Sequence, residues 1–203
     1  MKEKGLMILC VALVIIWVSG CATMQPRKPA PYKLTSQGTL IWEDEFEFMP
    51  PPPPGWKLLR PEEGGDINFG FMRSDPGGFP STTTFAYDEE PFGCTAASFE
   101  GREKEFFKRF LFNAIVTFQI LDRKEVQAVG GEGLQVDVEG RDPVKGEKVR
   151  ARVIFGKRGD RIIGFYITQW RPMDGTYDMA AFDIFDKFVK SFKFLKKSFY
   201  ETL

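Results

Sequence analysis

Leu134 to Glu139 reads LQVDVE, and Lys148 to Phe155 reads KVRARVIF. Both alternate apolar and polar residues with period two, the pattern of strands with one buried and one polar face. Leu134, Val136 and Val138 share one face. Val149, Ala151, Val153 and Phe155 share the matching face of the second strand. Gly140 to Glu147 closes the pair into a hairpin whose expected register sets Glu139 against Lys148, Asp137 against Arg150 and Gln135 against Arg152. Cross-strand pairs of favourable sign contribute about 0.2–1 kcal/mol each, so this pairing absorbs much of the basic cluster. Arg141, Lys145, Lys157, Arg158 and Arg161 are left at the hairpin ends, a basic rim open to an anion or an anionic lipid surface.

Working toward the C-terminus, Arg158-Gly159 makes a tight turn into Arg161 to Trp170 (RIIGFYITQW), and the Arg-Gly-Asp triplet at 158–160 is read as part of that turn. Ile162 and Tyr166 lie on one face of this strand, with Ile163, Phe165 and Ile167 on the other, as expected for a central strand covered on both sides. Pro172 ends it. From Thr176 to about Phe194 the period changes to 3.6: Tyr177, Ala181, Ile184, Phe185, Phe188, Val189 and Phe192 form an apolar stripe, with Asp183, Asp186, Lys187 and Lys190 outside. Asp174 or Thr176 is positioned to cap this helix, which should lie across the sheet.

Toward the N-terminus, Ile115 to Val126 reads as a strand. A first helix is expected from Ser98 to Asn113, with Phe99, Phe106, Phe107, Phe110 and Ala114 on its core stripe. Leu40 to Met49, Trp56 to Arg60, Ile67 to Arg73 and Thr82 to Tyr87 read as further strands. The five prolines Pro50 to Pro54 form either a stiff polyproline II spacer or a docking ligand for an aromatic groove, and the spacer is preferred. The paired glycines at 77–78 lack the Lys-Ser/Thr and the helix of a phosphate loop. Asp88-Glu89-Glu90 lacks the second acidic cluster that a cation site needs. Together these elements predict an α+β domain: an antiparallel β-sheet covered by two main helices, an α/β/α sandwich.

Ahead of that domain, Leu6 to Cys21 reads LMILCVALVIIWVSGC after Lys2 and Lys4, the charged start and apolar run of an export signal. Leu6 to Val18 is short against the roughly 20 residues that span a bilayer. Val18-Ser19-Gly20-Cys21 resembles the bacterial lipobox. That resemblance implies cleavage before Cys21, diacylglycerol on its sulfur, and membrane attachment through its acyl chains. Ala22 stands where an aspartate would imply inner-membrane retention, so the resemblance points to the outer membrane, periplasmic side. The expected organisation is a signal peptide over 1–20, a lipidated Cys21 and flexible tether over 21–38, and a single globular domain over 39–203. Three prolines and few bulky apolar residues between Ala22 and Gly38 underlie the tether assignment.

Composition narrows the function. The 203 residues carry 28 basic and 28 acidic side chains, for a net charge of zero, which argues against nucleic acid as a partner. The chain has no histidine, which removes Ser-His-Asp and Cys-His nucleophile pairs and imidazole zinc sites. Of three cysteines, Cys10 and Cys21 fall in the signal. Cys94 is alone in the domain, with no internal disulfide partner, and is read as a small buried apolar residue. No pair of carboxylates can be assigned the 5–10 Å spacing of a glycosidase.

The domain resembles the PsbP-like domains. Pro54-Gly55-Trp56 is similar to their Pro-x-Gly-Trp element. Gly133 to Glu139 and Val149 to Tyr166, with Arg150 and the Gly159-Asp160-Arg161 turn, look like their central meander, and Ser191-Phe192 matches the closing Ser-Phe. The resemblance implies small, often membrane-attached domains that bind or help assemble protein partners, with no catalytic residues and no cofactor to carry over. The expectation is therefore a lipid-anchored, non-enzymatic binding or assembly module with an envelope protein partner. The alternative is a carrier of a small apolar ligand in a cavity lined by some of the 21 phenylalanines. Phe79, Phe92 and Trp170, expected near loops, are either core or a docking patch.

Overall fold

The computed structural model describes residues 32–59, 69–74, 82–88, 117–129, 131–142, 145–159 and 161–197. The chain order is β1 (Tyr32–Leu34), β2 (Leu40–Trp42), β3 (Phe46–Phe48), β4 (Trp56–Leu59), β5 (Phe69–Ser74), β6 (Thr82–Asp88), β7 (Thr117–Ala128), β8 (Gly131–Asp142), β9 (Glu147–Arg158), β10 (Arg161–Pro172), α1 (Met179–Ser191) and β11 (Lys193–Phe194). Seven strands form one antiparallel sheet in the order β4-β5-β6-β10-β9-β8-β7, and four short ones form a second in the order β1-β2-β3-β11. The two-faced strand β10 sits at the centre of the large sheet, where its apolar residues on both sides require it.

Two apolar layers flank the large sheet. On one side Ile154, Ile163, Phe165 and Ile167 pack with Phe182, Phe185, Phe188 and Phe192 from the helical segment and with Leu40, Trp42, Phe46 and Phe48 from the small sheet. The other side carries Val136, Val138, Val149, Ala151, Val153, Phe155 and Ile162. The expected α/β/α sandwich with two main helices is not what forms. Most described residues are strand, and α1 is the single helix among them. The physical reason lies in the aromatic strands β2 and β3. Their Trp42, Phe46 and Phe48 bury beside α1, so one face of the large sheet is shared between a helix and a second sheet. The helix expected over residues 98–113 falls outside the described residues.

Several local expectations also change. Residues 40–49 form not one strand but a hairpin, because Glu43 and Asp44 take φ of +49° and +56° and turn the chain back. Residues 32–34, expected at the end of the tether, form β1 against β2. The β8–β9 hairpin forms as expected but two residues out of the expected register: Glu139 faces Arg150, Asp137 faces Arg152, and Asp142 faces Glu147 across a four-residue connection. Gly146, at φ +68°, helps make that connection tight. An even shift leaves every side chain on its expected face. The helix starts later than expected, capped by Asp178, whose side chain accepts from the Ala180 N–H, rather than by Asp174 or Thr176.

Candidate functional site

On the helix-facing side of the large sheet, Asp137 and Arg152 stand opposite each other on β8 and β9. Arg152 donates from Nε to Asp137 Oδ1 and from Nη2 to Asp137 Oδ2, both at 2.8 Å, a two-pronged pairing that fits the planar guanidinium. Its third prong, Nη1, reaches Asp186 Oδ2 on α1 at 2.6 Å. Gln135 Nε2 donates to Asp137 Oδ1 at 3.2 Å, and the guanidinium also lies 5.4 Å from the Phe182 ring centroid. The hydrogen bonds to Asp137 outweigh the burial that opposes charge, so the guanidinium is pushed above its ordinary range. One arginine thus ties two strands to the helix.

Beside this network the helix leaves part of the sheet uncovered, and a cleft of about 360 Å³ opens there. Val126, Val129, Ile154, Val189 and Phe192 make its floor, and Gln127, Gln135, Asp186 and Lys190 its polar edge. Asp186 Oδ1 is shut off from water and has no hydrogen-bond partner among the described residues. An acceptor in that state is costly unless a donor reaches it. Chemically, the cleft suits an aliphatic surface carrying one N–H or O–H donor.

Among the described residues, the lining of this cleft is aliphatic and polar with one aromatic ring, Phe192. Among the described residues, core phenylalanines pack on one another: Phe165 and Phe192 centroids lie 5.0 Å apart, Phe48 and Phe188 5.3 Å, and Phe46 and Phe192 5.3 Å.

Of the residues singled out by sequence, Cys21, Cys94, Phe79 and Phe92 lie outside the described residues. Trp170 is half-buried on β10 against the valine layer, within the sheet rather than in a loop. The proline run joins β3 to β4, with Pro51 buried and its followers exposed. Arg158 does not belong to a free rim: it donates to Lys196 O at 2.8 Å and lies 3.7 Å from the Phe194 ring centroid. Sequence reasoning missed Asp186, which its position on the outer helical stripe marks as solvent-facing. No strand pattern singles out its partner Arg152, because Arg150 beside it is flanked by equally buried residues, Val149 and Ala151.

Among the described residues the arrangement defines a fold class: an antiparallel sheet of seven strands with one face under a single helix and a small second sheet. That fold is shared with the Ran-binding protein Mog1p of Saccharomyces cerevisiae, at a TM-score of 0.50 and 13% identity over 72% of this chain and 88% of that one. The chain is also similar to the PsbP of the cyanobacterium Synechocystis, at a TM-score of 0.44 and 13% identity over 85% of this chain and 97% of that one. A third similar structure is LpqN of Mycobacterium tuberculosis, a protein involved in cell envelope biogenesis, at 0.44 and 14% over 73% and 83%. No protein-family model matches the sequence. No curated protein sequence matches it either.

Proposed function

We propose that this chain is a non-enzymatic binding module of the bacterial cell envelope, anchored by lipid on Cys21 and held on the periplasmic side of the outer membrane, where it engages a protein partner. The helix–sheet cleft is the engagement site. The observation that carries this reading is Asp186 Oδ1, a carboxylate oxygen without a partner among the described residues, on the wall of an aliphatic cleft. A protruding apolar side chain next to a backbone N–H would satisfy both features. The order of charge, apolar run and Val18-Ser19-Gly20-Cys21 supports the anchor. The fold is one that, in Mog1p, belongs to a protein that binds another protein.

The test is a pull-down of the full chain, gently solubilised from membranes, beside Cys21→Ser and Asp186→Ala. Envelope proteins that co-purify with the wild type and are lost with Asp186→Ala support the reading. Equal membrane fractionation of wild type and Cys21→Ser removes the anchor, and substrate turnover by the purified chain removes the non-enzymatic role. A second reading, carriage of a small apolar ligand, is favoured by the cleft volume, which lies in the roughly 300–1,000 Å³ range of ligand pockets. Mass spectrometry of the purified protein separates the two.

A further inference from the structure

Away from the cleft, toward the β8–β9 connection, the helix-facing side of the sheet carries an unusual row of charge. Arg141, Lys148 and Arg171 are direct neighbours across β8, β9 and β10. Two residues along, the next row reads Glu139, Arg150 and Gln169. Side chains directly opposite one another in a sheet are only about 5 Å apart at Cβ, and like charges there are destabilising. Four cations and one carboxylate therefore share two rows.

The hydrogen bonds do not resolve this excess. Arg171 is occupied by structure, donating to Thr176 O, Trp170 O and Gln169 Oε1. Glu139 meets Arg141 at 3.6 Å, longer than a charge-assisted hydrogen bond. Lys148 sits 5.1 Å from the Tyr177 ring centroid. Arg150, half-buried, has no hydrogen bond or ion pair among the described residues. The Tyr177 hydroxyl, carried on the turn that Arg171 and Gln169 hold in place, is likewise buried without a partner. Burial and then the charge of Glu139 keep this phenol protonated above the ordinary range, against the pull of Arg150, Arg171 and Arg141. It is a standing donor. At the β7–β8 end of these rows a cleft of about 280 Å³ is bounded by Phe118, Gln119, Glu139 and Arg141.

We propose that Arg141, Lys148, Arg150 and the Tyr177 hydroxyl form a binding site for a phosphate-type anion. Donors arrive from two strands and a turn, so the acceptor must present oxygens in more than one plane, as a tetrahedral phosphate does and a planar carboxylate does not. Guanidinium and ammonium groups in a partly buried corner supply the charge-assisted bonds such a group takes. The phosphate is borne either by a soluble molecule or by a lipid headgroup, and one experiment distinguishes them.

The full chain is titrated with inorganic phosphate by calorimetry and thermal melting, and sedimented with phosphatidylglycerol or phosphatidylcholine vesicles. Phosphate should raise the melting midpoint of the wild type. Arg150→Gln should weaken phosphate binding about tenfold or more, the scale of one lost charge-assisted bond. Tyr177→Phe should weaken it several-fold, and Glu139→Gln should strengthen it by removing a competing anion. Without phosphate, Arg150→Gln and Tyr177→Phe should melt no earlier than wild type, since neither group has a partner to lose. Arg150-dependent binding to phosphatidylglycerol vesicles alone assigns the headgroup, and Arg150-dependent binding of free phosphate alone assigns a soluble ligand. The proposal is overturned if neither probe binds, or if binding is the same in Arg150→Gln and Tyr177→Phe as in the wild type.

Discussion

Replacing Asp137 by alanine tests whether the Arg152 network holds the helix to the sheet. Asp137 and Arg152 side chains are 8% and 13% exposed, so the pair is screened little by solvent. The substitution removes two of Arg152's three bonds to carboxylates and leaves the guanidinium buried beside Phe182. Breaking a buried pair from one side costs about 3–5 kcal/mol. Because Asp186 still accepts from Nη1, the expected loss lies at the lower end, about 3 kcal/mol. With a urea dependence of about 2 kcal/mol per molar, the midpoint should fall by about 1.5 M. Tryptophan fluorescence reports it, since Trp42 is buried in the shared core. Asp186→Ala is the control: its side chain is 42% exposed, so it should cost under about 1 kcal/mol. Replacing the pair together, Asp137→Leu with Arg152→Met, should recover most of the loss. A loss below about 1 kcal/mol for Asp137→Ala, or one equal to that of Asp186→Ala at unchanged urea dependence, would refute the reasoning.

Three further outcomes are expected. Phe48→Ala, at a fully buried ring touching Phe71, Phe188 and Phe192, should cost about 3–5 kcal/mol in chemical denaturation and raise hydrogen exchange in β3 and β11. Gly133→Ala should destabilise by about 1–3 kcal/mol, because its Cβ would stand 2.5 Å from the Phe155 carbonyl oxygen, whereas Gly131→Ala meets nothing and should melt as wild type does. The Asp44 carboxyl, hydrogen-bonded and ion-paired to Lys33 with a smaller pull from Lys196, should titrate below the ordinary 3.8 by NMR and return to it in Lys33→Gln. Its folded value is the depressed one, so its small stabilising effect is present above 3.8, fades as pH falls through the lowered value, and weakens in salt.

The long strands were legible because each carries its own period. Val136 to Val138 and Val149 to Phe155 alternate whatever surrounds them, and β10 declares its central place by being apolar on both faces. The α1 stripe was equally plain, but its start was not. Residues 173–178 stay out of the helix because Arg171 and Gln169, on a strand, hold Thr176 and Asp178 from the side. No local pattern encodes a contact of that kind. The hairpin register depended on a four-residue connection that alternation alone cannot count. The second sheet was missed because β1, β2 and β3 are three residues each, too short to show a period, and their aromatic residues match either one strand or two. In the candidate cleft, Val189 and Phe192 fall on the apolar helical stripe and Lys190 outside it, but what makes it a cleft is the gap between α1 and the strands, a tertiary fact. Asp186 followed the helical period correctly. What the period does not show is that Arg152 takes its Oδ2 while Oδ1 is left buried without a partner among the described residues.

The pairing of β11 with β3 has a consequence for how the protein is made. The Met49 N–H is bonded to Ser191 Oγ, 142 residues later, and Phe46 lies beside Phe192 and Phe194. A ribosome finishes the β2–β3 hairpin and then adds more than a hundred residues before those partners exist. Throughout that interval Phe46 and Phe48 lack the rings of Phe188, Phe192 and Phe194, and closing so long a loop is slow. The shared core therefore closes only after Phe188 to Phe194 have been made, and a product truncated before them leaves Phe46 and Phe48 incompletely covered, the kind of surface that chaperones and proteases recognise.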